Sequence, residues 1–317
     1  MGGSLTAVAT LPRLGFLGLG WIGRNRLEAV QRSGIAEVVA VADPAVPEAL
    51  GSLDELLEEE LDGIVIATPS ALHSQQAESA LERGLAVFCQ KPLGRSAAEV
   101  GAVVGAARRA DLLLGVDLSY RYVEAVRTAV HWVRSGELGE VFAIDLVFHN
   151  AFGPDKDWFY DPDLSGGGCV IDLGLHLVDL VLWSLGREEV TSVSSRLRGE
   201  PVEDFAVAQL DLEGGTVARL ACSWNLSAGQ DCVFEASFYG DESAVSVRNV
   251  DGSFYDFRAE LARGRARETL CEPPDDWGGR ALVDWARRLG EGARFDEQAE
   301  EHVRVAKVLD AIYGRVA

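Results

Sequence analysis

The chain is 317 residues long, 48% hydrophobic and 25% charged, an ordinary globular composition with room for two cores. Its formal charge of −21 argues against nucleic acid or an anionic membrane surface as partner, and weighs against a strongly anionic substrate. Five widely spread cysteines without a Cys-x-x-Cys pair argue against a disulfide framework and against a structural zinc site.

In chain order, Met1-Gly2-Gly3-Ser4 lacks the basic region that opens a signal peptide. No apolar run reaches the roughly 18–20 residues of a membrane span, so the expected location is the cytoplasm. Arg13 to Gly18 reads as a short apolar strand that runs into Gly18-Leu19-Gly20-Trp21-Ile22-Gly23. A helix from Ile22 to Ser33 follows, then a strand from Ala36 to Ala42 that ends at Asp43, 20 positions after Gly23. Strand, three glycines, helix, strand and terminal acid arrive in the order a dinucleotide site needs. Gly18 allows the tight turn, Gly20 lets backbone approach the pyrophosphate, and Gly23 lets helix pack on strand, while the helix N-terminus offers amide donors. Asp43 can accept from the adenosine ribose hydroxyls and would repel a 2′-phosphate. The residues after it, Pro44-Ala45-Val46-Pro47, offer no arginine, so NAD is favoured over NADP.

The alternation continues. Asp62 to Ala67 reads as a strand ending at Thr68-Pro69-Ser70, Ala71 to Arg83 as a helix stopped by Gly84, and Leu85 to Cys89 as a strand. Ser96 to Ala110 is a helix and Leu112 to Val116 a strand. Strands alternating with helices predict a parallel sheet, whose ligands sit at the carboxyl ends of strands, where Thr68, Lys91 and Asp117 fall. Lys91 is one of only three lysines among 29 basic residues. Unlike arginine, a partly buried lysine can exchange a proton.

After Arg121 the pattern changes. Val123 to Ser135 reads as a helix and Val141 to Phe148 as a strand. An aromatic and acidic segment, Phe152 to Asp163, follows; its Trp158 is a candidate for lining a small-molecule pocket. Strand-like runs at Val190 to Leu197, Phe205 to Leu212, Val217 to Trp224 and Val233 to Tyr239 succeed one another without helices, which predicts an antiparallel sheet. Two helices, near Gly279 to Leu289 and Glu297 to Tyr313, close the chain.

Between these regions lies Gly166-Gly167-Gly168, leading to Asp172 and His176. Four residues apart, the two share one helical face. A histidine can take a proton from a hydroxyl near neutral pH, and a neighbouring carboxylate can orient it or raise its pKa. A structural Asp–His pair is the competing reading. The triple glycine and the dinucleotide site upstream favour catalysis. Metal binding by Asp172, His176 and Asp179 is disfavoured, because none of the five histidines forms a compact second ligand pair.

These residues resemble the Gfo/Idh/MocA family of nicotinamide-dependent oxidoreductases across nearly the whole chain. The likeness is carried by Gly18 to Gly23, Thr68-Pro69 with His73, Gln90-Lys91-Pro92, Tyr120-Arg121-Tyr122, Gly166 to Gly168 with Asp172, Gly174 and His176, and Ala311-Ile312-Tyr313. The resemblance implies an N-terminal Rossmann domain over residues 1–121. A C-terminal α+β domain over 122–317 would have a large, mostly antiparallel open sheet with helices on one face, and its last helix, 297–317, would pack back on the first domain. It adds Trp21, Ile22, Thr68, Pro69, His73, Gln90 and Lys91 to the cofactor-binding residues, and makes Lys91, Asp172 and His176 catalytic. Tyr120, Arg121 and Trp158 join those three on the substrate side. Gln90 departs from the family's usual glutamate and removes a negative charge beside Lys91.

The implied reaction is reversible hydride transfer between nicotinamide and a secondary alcohol or ketone of a small neutral sugar, cyclitol or related polyol. His176 would be the general base or acid, Lys91 would stabilise the alkoxide, and Asp172 would orient them. Two alternatives share the fold: a redox-assisted glycoside hydrolase that keeps its NAD, and a catalytically silent, cofactor-sensing regulator. A homodimer or homotetramer through the C-terminal sheet is the expected assembly.

Overall fold

A computed structural model describes residues 11–186 and 188–315, so Met1-Gly2-Gly3-Ser4 and the last two residues lie outside the described residues. Strand β1 (Arg13–Leu17) leads into α1 (Trp21–Ser33), and β2 (Glu37–Ala42) follows. A short helix α2 (Leu53–Leu56), capped by Ser52, precedes β3 (Gly63–Ile66). Then come α3 (Ser70–Glu82), β4 (Ala86–Cys89), α4 (Ala97–Ala110) and β5 (Leu114–Val116). Helix α4 starts where the Ser96 hydroxyl accepts from the Glu99 amide, an N-cap supplied locally by sequence. The five strands form one parallel sheet in the order β2-β1-β3-β4-β5. The order reverses between β1 and β3, so the loops after those strands flank the crevice in which doubly wound sheets bind ligands.

The chain then runs through α5 (Glu124–Ser135), β6 (Val141–Asn150) and α6 (Pro162–Ser165) to α7 (Leu175–Leu185). Strands β7 (Val190–Arg198), β8 (Phe205–Leu212), β9 (Val217–Ser223), β10 (Cys232–Gly240), β11 (Ala244–Asn249), β12 (Phe257–Arg263) and β13 (Ala266–Cys271) follow. With β6 they build an eight-stranded sheet ordered β13-β12-β11-β10-β6-β9-β8-β7, antiparallel except for the central β6–β9 pair. Alternation sets its faces. Ile144, Leu146 and Phe148 of β6 and Phe234, Ala236 and Phe238 of β10 point into a core shared with α5 and α7, while Asp145, Val147, Glu235 and Tyr239 point outward. Strand β13 reads Ala-Arg-Glu-Thr-Leu-Cys and shows no apolar period; it is an edge strand with four exposed residues in a row, so periodicity had nothing to report.

Helices α8 (Arg280–Gly290) and α9 (Glu300–Ile312) return to the first sheet. Trp285 of α8 lies against Phe88 of β4 with ring centroids 5.7 Å apart, inside one of that sheet's two cores. Ala299 and Ala306, beside and within α9, complete the other. From Pro162 to Leu185 the helical segments join into a run that by length and composition alone would pass for a membrane span. Its most apolar window is 83% buried inside the fold, so its hydrophobicity is that of a core helix.

Candidate active site

The first glycine turn is shaped as the spacing requires. Gly18 has φ +92°, and a Cβ there would sit 2.5 Å from the Ala67 carbonyl oxygen, so the β1 and β3 loops touch through bare backbone. A Cβ at Gly23 would lie 2.0 Å from the Gly18 oxygen, whereas one at Gly20 would meet nothing within 4 Å. Gly20 therefore faces open space at the start of α1, whose N-terminus has no side-chain cap. Trp21, 67% exposed, stands at this edge. Its amide and that of Ile22 are orphan donors of a helix N-terminus, the feature that binds pyrophosphate. Asp43 ends β2, where its two carboxylate oxygens accept from the Leu19 amide at 2.6 Å and the Ala45 amide at 2.8 Å. Open amides, an open glycine face and a held carboxylate fit a dinucleotide.

Thr68, after β3, donates through its hydroxyl to Gln76 at 2.6 Å, and Pro69 beside it is exposed. His73, the other residue expected on this side, packs between the two loops. It is buried, and its ring nitrogens lie 2.7 Å from the backbone oxygens of Pro92 and Thr68. The ring braces the β3 and β4 loops against each other from beneath. Burial, and then the nearby Lys91 charge, lower its pKa.

Lys91 follows β4. Its ammonium donates to Asp172 Oδ1 at 2.5 Å and to the Asp172 backbone oxygen at 2.9 Å, bridging the two sheets. Gln90 turns aside and donates its amide to Asp117, which ends β5 and is fully buried. Asp117 also receives Arg26 Nε of α1 at 2.5 Å and the Ser119 hydroxyl at 2.8 Å. The negative charge missing at position 90 is thus present one strand over, already paired with Arg26. A carboxylate at the end of a strand was visible in sequence; its arginine partner, 91 residues earlier, was not.

Asp172 and His176 depart from the straight helix of the sequence reading. Val170 to Gly174 forms a π turn, and α7 begins only at Leu175. Such turns inside helices are frequent at functional sites. Among the described residues Asp172 makes no hydrogen bond with His176. Its second oxygen, Oδ2, instead accepts from Trp224 Nε1 at 3.0 Å. His176 is buried, with its ring 4.7 Å from Tyr120 and 6.3 Å from Phe148. Burial, and then the charge of Lys91, push its pKa well below the usual histidine value. The expected carboxylate effect is reversed, because the carboxylate is spent on Lys91 and Trp224 while the ring is desolvated.

The other substrate-side candidates divide. Tyr120 is buried in an aromatic stack with Phe234 at 5.2 Å and backs His176. Arg121 is committed elsewhere: its guanidinium binds Asp179 at 2.9 and 2.6 Å and Glu301 at 2.9 Å, and lies 5.3 Å over Trp183. It ties α7 to α9 and also occupies Asp179. Trp158 is half-buried and stacks on Phe159 at 3.8 Å. Phe159 and Tyr160 in turn pack edge-on against Trp224, at 6.4 and 5.7 Å. Burial and the Asp172 charge raise the Tyr160 pKa, so this loop borders the carboxylate. Trp224 is the residue that sequence reasoning missed. At the end of a strand-like run it looks like any core aromatic, and only the fold turns its N–H toward Asp172. Among the described residues no three His, Cys, Asp or Glu side chains converge as a metal site.

Comparison with known proteins places the chain in a family. Residues 12–118 match the family model described as oxidoreductase family, NAD-binding Rossmann fold, and residues 126–246 match the GFO/IDH/MocA C-terminal domain. D-xylose 1-dehydrogenase (NADP(+)) 2 of Haloferax volcanii is 32% identical over 94% of this chain and 95% of its own length. Inositol 2-dehydrogenase of Rhizobium meliloti is 28% identical over 75% of this chain and 76% of its own. In fold, GenD2 from gentamicin A biosynthesis, solved in complex with NAD, superposes with a TM-score of 0.83 at 22% identity, covering 96% of this chain and 94% of that one.

Proposed function

We propose, since the chain belongs to the GFO/IDH/MocA family of oxidoreductases with an NAD-binding Rossmann fold, that it oxidises or reduces a secondary alcohol or ketone of a neutral sugar, cyclitol or related polyol. The observation that carries the reading is the 2.5 Å contact between Lys91 and Asp172 across the two sheets, beside a histidine held neutral by burial. Bound nicotinamide supplies the hydride acceptor or donor. The chain's own residues manage the proton and the charge.

In oxidation, neutral His176 is the form able to accept the hydroxyl proton, and the Lys91 ammonium balances charge that develops on the substrate oxygen. Asp172 aims the ammonium, and Trp224 fixes Asp172 through its second oxygen. Burial and the Lys91 charge disfavour the protonated form of His176.

Asp43, without a cation in Pro44 to Pro47, supports NAD over NADP, although the 32% identical relative is named for NADP. Asp155, Asp157, Asp161 and Asp163 are exposed on the aromatic loop with only Lys156 among them, which supports a neutral substrate over a phosphorylated one. Five free cysteines suit the reducing cytoplasm. The outward face of the eight-stranded sheet holds a concavity of about 760 Å³, lined by Val147, Val207, Ala221 and Tyr239 with the Asp145–Arg219 ion pair. Apolar and paired groups on an open sheet support self-association there.

The test is a screen of sugars, cyclitols and sugar acids for NADH formed at 340 nm. Net reduction that matches substrate consumed is expected, and turnover without net reduction would favour the hydrolase alternative. Lys91→Ala should lower kcat by about 10²–10⁴-fold. Unchanged turnover in that variant would sink the site assignment.

A further inference from the structure

The four amides that open the apolar helix, those of Gly168, Cys169, Val170 and Ile171, have no intrahelical acceptor, as at any helix start. Here each is answered by one of two distant residues. Glu203, in the loop between β7 and β8, accepts from Gly168 and Val170 through Oε1, both at 2.9 Å, and from Cys169 through its backbone oxygen at 2.9 Å. Tyr313, the residue after α9, accepts from the Ile171 amide at 3.2 Å and donates its hydroxyl to Glu203 Oε1 at 2.7 Å. The first amide to return to its own helix is that of Asp172, which donates to the Gly168 oxygen at 3.2 Å. The fit is close: a Cβ on Gly167 would sit 2.1 Å from the Tyr313 hydroxyl, and one on Gly168 would sit 2.0 Å from the Glu203 backbone oxygen. Glu203 is buried.

We infer that Glu203 and Tyr313 are positioning residues for the reaction: as a cap delivered from two other elements, they set the register of the π turn and so the place of Asp172 against Lys91. Among the described residues neither side chain hydrogen-bonds to Lys91, Asp172 or His176. The carboxylate supplies a negative charge at a helix start, where it is favourable, and the phenol holds that carboxylate in place. Because the cap ends one residue before Asp172, a shift in it moves the carboxylate that aims Lys91.

This inference rests on the proposed function, and the experiment separates the two. Tyr313→Phe removes one hydroxyl and keeps the ring. Expected are a kcat about tenfold lower, a NAD dissociation constant and substrate KM within twofold of the parent, and a displaced kcat–pH profile, because only the Lys91–Asp172 geometry is disturbed. Glu203→Gln, which keeps shape and loses charge, should follow the same pattern. A kcat within twofold and an unmoved pH profile in both variants would overturn the inference. So would loss of NAD binding in step with kcat, since the cap would then merely hold the fold. If Lys91→Ala is itself fully active, the function reading fails; if Lys91→Ala is inactive and Tyr313→Phe is normal, only this inference fails.

Discussion

The protein has two glycine-rich turns that lead into helices, and they are treated in opposite ways. At Gly18 to Gly23 the helix opens on Gly20 with no side-chain cap and with empty space where a Cβ would point. At Gly166 to Gly168 the orphan amides are filled from within the protein by Glu203 and Tyr313. The first turn keeps its donors for an anion. The second uses them to hold a carboxylate where a lysine can reach it. Glycine spacing alone therefore does not say whether a helix start is a binding site. The question is whether its amides are already satisfied.

The contrast can be broken by substitution and by acid. The largest effect is expected at Gly168→Ala, whose new methyl meets backbone at 2.0 Å. It should destabilise the protein by about 3 kcal/mol, read as a lower denaturation midpoint with or without NAD. An unchanged midpoint would mean that the filled turn is looser than described.

Acid comes next. The folded-state pKa of His176 is depressed, so the unfolded chain binds the proton first. Stability is then lost as pH falls below about 6.5, by up to about 1.4 kcal/mol per pH unit for that one group. His176→Gln should flatten the acid limb of a stability–pH curve by that one proton. Burial and Arg121 hold His302 down to about 3, so its contribution persists to lower pH and remains in the variant.

Gly20→Ala tests the open turn. Free-protein stability should stay within about 0.5 kcal/mol, because nothing lies within 4 Å of the new methyl, while KM for NAD rises about tenfold as the methyl enters the pyrophosphate's space. Equal KM values would place the phosphates elsewhere. The smallest effect belongs to Trp224→Phe, which removes one hydrogen bond to the Asp172 carboxylate. At about 1 kcal/mol this predicts a kcat roughly fivefold lower with NAD affinity unchanged, measured by steady-state kinetics.

Much of the first sheet and its glycine turn is readable in the order of residues. Gly18, Gly20, Gly23 and Asp43 act through local backbone shape, and the strands that carry Thr68 and Lys91 announce themselves as short apolar runs. Asp172 and His176 were found by spacing, yet their relation was misread. A four-residue interval predicts a shared helical face, whereas the π turn and the two partners of Asp172 separate carboxylate from imidazole. Arg121 is similar: an arginine at a junction looks available in sequence, and only the fold sets Asp179 and Glu301 against it.

Residue order alone carries the alternating parallel sheet, the succession of strands that follows it, the glycine turns and the candidate reactive side chains. These rest on periodicity and on residue chemistry, which act within about a dozen neighbours. Tertiary structure decided which amides stay open, which charges are paired and which side chain steadies which. Trp224 reaches Asp172 from 52 positions away and Tyr313 reaches Ile171 from 142. No local pattern records such pairings, because they exist only once two sheets and the returning helices have packed and water has been excluded between them.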